Sequence, residues 1–326
     1  MLKNKVLGAA VALAATVALN VSAQAQEVVR YATDGYGMGS LAIVAAEKGF
    51  LEEEGIKPVV QTYSYGVDTV DAVLAGNADF GVIIDFPLLT RFAAGKLMSP
   101  AIIAEPLPGW HKLYTKADLE IPGDLKGKDI GVATGTAQEF VTRTYLSDNG
   151  INPDEDVNMV GFTSLFEIVG AMKAGRLDAA WIWGEGVPTM DADDGWKFIA
   201  DDSVVNQSTS APLVVLKDYY DTHPDTVAKT LRAFQKASEY MKSDLDEAVA
   251  VIAKSVGGDE KQIKNVIQQQ RYGLSFGSSP MSSLKAKYDF MVATGKIEPY
   301  DFTAQFDAGA LTEAIPGVEV DPMLQK

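Results

Sequence analysis

The chain has 326 residues, with 44 Asp+Glu against 28 Lys+Arg, two histidines, no cysteine and a formal net charge of −16. The missing cysteine excludes disulfides, Fe–S clusters, thiol nucleophiles, Cys-ligated zinc and a lipid-modified N-terminal Cys; two histidines leave little for a multi-His metal site. So acidic a chain repels phosphate backbones, and 47% hydrophobic with 22% charged residues is the composition of a globular protein of about two domains.

Residues 1–25 read as a signal peptide. Lys3 and Lys5 form a basic n-region, 6–21 is apolar and Ala-rich, and Ala23-Gln24-Ala25 is an A-x-A signal that places cleavage after Ala25. A membrane anchor is the rival reading, but the run is short of the roughly 20 residues a spanning helix needs. Loss of Lys3 and Lys5 takes the mature charge to −18. Exported, unlipidated and free of cysteine, the mature chain is expected in the periplasm of a Gram-negative bacterium.

The mature chain contains an internal duplication. Val28-Val29-Arg30-Tyr31-Ala32-Thr33-Asp34-Gly35 opens one copy and Asp129-Ile130-Gly131-Val132-Ala133-Thr134-Gly135-Thr136 the other. Each leads into a helical segment and then Leu-x-x-x-Gly-Ile-x-Pro, at Leu51, Gly55, Ile56 and Pro58, and at Leu146, Gly150, Ile151 and Pro153. That pattern is a helix closed by Gly, with Pro preventing its continuation. A strand (59–63; 157–162) and a second helix come next. Ala75-Gly76-Asn77-Ala78-Asp79 then leads into strand 80–84, and Ala174-Gly175-Arg176-Leu177-Asp178 into strand 179–183. The matched anchors lie 101, 95 and 99 residues apart, an offset that drifts only by loop lengths. Each copy is thus β-α-β-α-β, the pattern of a parallel sheet with right-handed crossovers.

The predicted organisation is α/β, with lobe one over 26–106, lobe two over 107–208, and a return to lobe one plus C-terminal helices over 209–326. The Pro/Gly-punctuated segment 105–110 makes one crossing and 208–212 the other, so two crossovers form a hinge beside a cleft. Strand 213–216 follows, with helices expected over 224–241, 245–256, 261–270 and 283–294.

Ligands of open α/β sheets gather at the C-terminal ends of strands. The loops there are 33–40, 64–66 and 85–87 in one copy, and 134–138, 163–164 and 183–186 in the other. Two begin capping boxes, Thr136-Ala137-Gln138-Glu139 and Ser164-Leu165-Phe166-Glu167. Gly135 lets the backbone approach closely, and the amides after Thr136 lie at the positive end of a helix, an anion site that needs no arginine. Thr136 capping its own helix is the plainer alternative. Tyr36, Tyr65, Phe86, Trp110 and Trp183 crowd the same edges, although an aromatic taken singly is more often core packing than ligand-facing. Asp34, Asp85 and Glu185 also fall on these loops; two of them facing one cavity would favour an ammonium group, and with the anion wall a zwitterion. Asp85 could instead cap a helix.

Other motifs fail. Gly35-x-Gly37-x-Gly39 departs from the dinucleotide fingerprint, since the third Gly comes one residue early. Gly123-Asp124-Leu125-Lys126-Gly127-Lys128 is one residue short of a phosphate loop, and Asp191-x-Asp193-Asp194-Gly195 lacks the closing Glu of a calcium loop. No cofactor or metal is expected. His223, before Pro224, marks the start of a helix; His111, at the hinge, is the more plausible functional histidine.

These residues resemble the nitrate/sulfonate/taurine-type, thiamine-precursor-related solute-binding proteins of ABC importers. The resemblance spans nearly the whole mature chain and rests on Ala45-Ala46-Glu47-Lys48-Gly49-Phe50, Ala75-Gly76-Asn77-Ala78-Asp79-Phe80, 125–132, Thr134-Gly135-Thr136 and Ala174-Gly175-Arg176-Leu177-Asp178-Ala179. It implies a type II periplasmic binding fold that closes over one small molecule, no catalysis, and delivery by a monomer to a permease and its ATPase. Thr134, Gly135, Thr136 and Ala137 would hold the anionic group of a sulfonate such as taurine, with the 34–36 and 85–86 loops opposite. Where many relatives have Trp-Asp-Pro, this chain has Trp183-Gly184-Glu185-Gly186, which weakens inference about the ligand. Relatives that synthesise pyrimidines use a Cys-rich motif absent here. A thiamine-precursor binder is the alternative, and a secreted enzyme using His111 with Asp85 or Glu185 a further one.

Overall fold

The computed structural model describes residues 26–325 apart from 36, 64–65, 120–122 and 206–207, and excludes the Glu185 side chain. The expected signal peptide and its cleavage site lie outside the described residues.

The first copy runs β1 (Glu27–Asp34), α1 (Ser40–Glu47), α2 (Phe50–Glu53), β2 (Ile56–Tyr63), α3 (Gly66–Leu74) and β3 (Phe80–Val82), followed by α4 (Asp85–Phe92) and β4 (Leu97–Pro106). The chain then crosses to β5 (His111–Lys116). The second copy runs β6 (Asp129–Ala133), α5 (Ala137–Asp148), β7 (Asn158–Phe162), α6 (Leu165–Lys173) and β8 (Ala179–Trp183), then α7 (Val187–Asp191) and β9 (Trp196–Asp201). After the second crossing come β10 (Ala211–Leu216), α8 (Lys217–Thr222), α9 (Pro224–Ser243), α10 (Leu245–Val256), α11 (Glu260–Ile267), β11 (Gln270–Ser275), α12 (Ser278–Ala293) and α13 (Gly309–Ala314).

Two sheets result, ordered β11-β4-β10-β3-β1-β2 and β7-β6-β8-β5-β9. Within each, the three strands of the repeat are parallel, with the first strand central. The sheets are nevertheless mixed rather than parallel. Beside the third repeat strand lies an antiparallel one that has just crossed from the other lobe, β10 next to β3 and β5 next to β8. A chain arriving through the hinge enters at the edge where the parallel strands end, so it must run against them.

The duplication also holds at side-chain level. Asp79 Oδ2 accepts the Arg30 amide at 2.8 Å, and Asp178 Oδ2 accepts the Asp129 amide at 2.9 Å. Each aspartate is also held by a cation, Arg30 Nη2 at 2.6 Å and Lys116 Nζ at 2.7 Å respectively. The preceding Gly76 and Gly175 turn the chain at φ 73° and 70°, which glycine adopts without the Cβ clash.

β11 corrects the helix expected over 261–270. α11 stops at Ile267, and Gln270, Tyr272 and Leu274 alternate inward on β4. Gln and Arg are good helix formers, so local propensity hides this edge strand; its partner decides it.

Lobe one holds a continuous apolar core that takes in α9–α13, while lobe two has a cluster on each face of its sheet. Ala137 and Phe140, from lobe two, belong to the lobe-one core. The first turn of α5 is therefore seated on lobe one, which fixes the cleft.

Candidate functional site

A cavity of about 190 Å³ lies between the lobes, lined by Met38, Ile84, Trp110, His111, Thr136, Ala137, Gln138, Trp183 and Thr209. Of the residues expected there, Trp110, Thr136, Ala137 and Trp183 line it. Tyr36 and Tyr65 lie outside the described residues, as does the side chain of Glu185. Met38 and Gln138 lie within the expected loops 33–40 and 134–138 without having been singled out, and Ile84 and Thr209 lie outside the expected loops; all four reach the cavity where the lobes meet.

The loop before α5 is more committed than its sequence indicates. The Thr134 amide donates to Phe162 O and the Thr136 amide to Ala133 O, at 3.2 Å each. Gly135, at φ +79°, donates to Glu139 Oε2 at 2.8 Å, and Gln138 N–H donates to Thr136 Oγ1 at 3.2 Å. The capping Thr136 is real, but Glu139 reaches one residue further back than a capping box requires and sets a carboxylate where an anionic ligand was expected. Glu167 does the same in α6, accepting the Thr163 amide at 3.0 Å. Among the described residues, the Ala137 N–H has no hydrogen-bond acceptor, and Ala137 lines the cavity. The Gln138 amide clamps β6 and β8, accepting from Ala133 N–H and donating to Gly131 O and Trp181 O, so it shapes the wall. Thr134 packs over Gly161, where a Cβ would come within 2.9 Å of its hydroxyl.

Burial raises the Glu139 pKa, but the Gly135 amide, Lys296 and Arg143 outweigh it and hold the carboxyl below its usual range. Lys296 Nζ lies 3.0 Å from Glu139 Oε1 and ties the segment after α12 to α5. Phe140 completes the same contact, with ring centroids 6.1 Å from Phe86 and 5.4 Å from Phe290. Phe86 is thus interlobe packing and does not line the cavity.

The two described carboxylates expected to meet an ammonium group do not. Asp34 accepts the Met38 and Gly39 amides at 3.1 and 2.7 Å and closes its own turn. This turn explains the glycine run, since a Cβ on Gly37 would fall 2.5 Å from Asp34 Oδ2 and one on Gly39 would strike Thr33 Oγ1. Asp85 is fully buried and does not cap α4. Its Oδ2 takes Ser210 N–H at 2.8 Å and Lys287 Nζ at 2.7 Å, pinning the second crossing to α4 and α12.

His111 is the polar group that sequence alone could only nominate. Its Nδ1 lies 2.9 Å from Asp202 Oδ2, and its ring centroid lies 6.0 Å from that of Trp183. The partner of His111 is therefore Asp202, which no motif marks, rather than Asp85. Burial pushes the Asp202 carboxyl up, but His111 and the amides of His111 and Gly109 bring it below the usual range, so it is ionised.

Asp193 closes its turn by accepting the Gly195 amide, as a solvated acidic turn does. His223 stands at the start of α9 ahead of Pro224, where the sequence puts it. Among the described residues, no cluster of three metal-ligating side chains occurs, and no helix is long and apolar enough to cross a membrane.

Comparison with known proteins agrees with this architecture. A family model described as NMT1/THI5 like matches residues 40–248. A candidate binding protein of Brucella abortus is 24% identical over 280 residues, covering 83% of this chain and 86% of that one. The periplasmic aliphatic sulphonate binding protein SsuA of Escherichia coli superposes with a TM-score of 0.70 at 18% identity, covering 84% of this chain and 94% of its own. A mutant of DSZB in complex with biphenyl-2-sulfinic acid superposes with a TM-score of 0.66 at 16% identity, covering 89% and 99%. The fold is the periplasmic binding protein fold, and it serves both binders and an enzyme.

Proposed function

Because the chain belongs to the NMT1/THI5-like family, we propose that it is a solute-binding protein of an ABC importer that captures one small organic anion between its lobes. The ligand class is an anion with an apolar body, a sulfonate in the first instance. The observation that carries this is the cavity lining: Trp110, Trp183, Met38 and Ile84 supply apolar surface, while His111, Thr136, Gln138 and Thr209 are the polar residues of the wall. A site that encloses a ligand with apolar and aromatic walls and a few placed polar groups is the usual small-molecule design. With Asp34 and Asp85 committed elsewhere, a taurine ammonium finds no partner in either of them. The sulfonate-binding relatives support the same class. On this reading the signal peptide is cleaved after Ala25, and the mature monomer works in the periplasm and hands its ligand to a permease and its ATPase.

A thermal-shift screen with alkanesulfonates, benzenesulfonate, taurine, nitrate and the pyrimidine precursor of thiamine tests the proposal. Binding stabilises by RT ln(1 + [L]/Kd), about 2.7 kcal/mol at a hundredfold excess over Kd. We expect apolar sulfonates to raise Tm more than taurine does. A shift with the pyrimidine alone would move the assignment to thiamine precursors, and no shift with any anion would remove it.

The enzyme reading keeps one observation in its favour, the buried His111–Asp202 pair at the cavity. Of the two partners that reading offers, Asp85 is paired with Lys287 instead, and the Glu185 side chain lies outside the described residues. Bound ligand recovered unchanged after long incubation, at one equivalent per chain, decides for binding.

A further inference from the structure

His111 is buried on the lobe-two side of the cavity, at the first residue of β5. Asp202 opens the short turn after β9 and receives three hydrogen bonds there. Gly109 N–H reaches Oδ1 at 2.6 Å, while His111 N–H at 3.0 Å and His111 Nδ1 at 2.9 Å reach Oδ2. An ionised carboxylate only accepts, so Nδ1 must carry a proton. The second ring nitrogen, Nε2, has no hydrogen-bond partner among the described residues. In the neutral ring it would be an acceptor; once protonated it is a charged donor.

Among the described residues, the surroundings of the ring offer no second charged partner for it. From β9 comes Asp201, whose carboxylate is held by the Ser203 amide at 3.1 Å. Lys112, next along β5, holds its ammonium 5.7 Å over the Phe198 ring. β8 meets the imidazole with the Trp183 ring, and α5 brings Thr136, Ala137 and Gln138, none of them titratable. Glu139, one residue on, is neutralised by Arg143 and Lys296.

We propose that His111 is the residue that reads the ligand's anionic group, as an imidazolium whose Nδ1 proton is held by Asp202 and whose Nε2 proton is donated to the ligand. It rests on the reading of the cavity as an anion site. Binding at a pH where the free ring is neutral then takes up one proton from solvent onto Nε2. Asp202 is a positioning residue: it fixes the tautomer, and its carboxylate balances the imidazolium charge that forms when the anion binds. The pair thereby favours anions over cations and over neutral ligands of the same shape.

The mature chain with 15N-labelled histidine gives the first arm of the test. Only two histidines contribute, and His111→Gln assigns them. The neutral form should carry its proton on Nδ1; a neutral Nε2–H tautomer overturns the proposal with no ligand present. The second arm is calorimetry with benzenesulfonate in buffers of low and high ionisation enthalpy. Affinity should fall as pH rises, with uptake of one proton per ligand. His111→Gln should bind weakly with no pH dependence, and Asp202→Asn should bind with a displaced pH profile, which a purely structural role for Asp202 would not produce. Equal affinity at pH 6 and pH 8 without proton uptake would sink the inference but leave the binding function intact. Absence of binding at every pH would sink both.

Discussion

Glu139 is the residue whose role changed most between sequence and structure. Read along the chain, it completes a capping box; in three dimensions its carboxylate occupies the Gly135 amide and meets Lys296 from lobe one. Its pKa is lowered in the folded state, so its stabilisation is complete above the unfolded pKa and is lost as pH falls through the folded one. Glu139→Gln should therefore cost about 1–2 kcal/mol at pH 7. The difference from the parent in urea midpoint should shrink at pH 3; an undiminished difference there would show that the charge is not the stabilising feature. Gly135 itself meets nothing within 4 Å at its Cβ position, so Gly135→Ala is expected to cost only the left-handed backbone, about 1 kcal/mol, read as a small drop in Tm.

Among elements, the repeat is the unit that sequence resolves best. The Gly-x-x-Asp runs at 76–79 and 175–178 recur because each aspartate ties the start of the third strand to the first through a backbone amide, and each also holds a cation, Arg30 of β1 in one copy and Lys116 of β5 in the other. Asp79→Ala and Asp178→Ala should each lower stability by about 2–3 kcal/mol, since each strands a backbone amide as well as a cation. Urea unfolding checks this, and a loss under about 0.5 kcal/mol in either, the size of an ordinary surface substitution, would deny the two positions their common role. Edge and crossing strands are less legible. β11 opens with the helix formers Gln270 and Arg271 and is set as a strand by its pairing with β4. The antiparallel direction of β5 and β10 follows from where the chain re-enters each sheet, a fact about the hinge rather than about their residues.

The whole molecule turns on the seating of α5 against α4 and α12. Phe86, Phe140 and Phe290 form its apolar part; Lys287, buried against Asp85 and over the Phe140 ring at 5.8 Å, forms its polar part. Removing one partner of a buried pair leaves an uncompensated charge, so Lys287→Ala should cost roughly 3–5 kcal/mol, and the Asp85→Asn, Lys287→Met double variant should recover much of it. Equal losses in the single and double variants would show that the charge was not the problem. Phe140→Ala should loosen the lobes, lowering Tm and raising the radius of gyration in solution scattering; an unchanged radius would place the lobe contact elsewhere. The sequence by itself determined what depends on neighbours along the chain: two β-α-β-α-β copies, their glycine turns, the helix caps and the absence of thiol chemistry. It also marked the cavity edges at Trp110, Thr136, Ala137 and Trp183. The tertiary structure alone decided which charges remain free. Asp34 and Asp85 were candidates while their partners were unknown; the Gly39 amide and Lys287, the latter 202 positions away, consume them. Asp202 left no local trace because its partner lies 91 residues earlier. A carboxylate's availability depends on what folding brings beside it, and that is fixed by the closure of two lobes rather than by any short stretch of sequence.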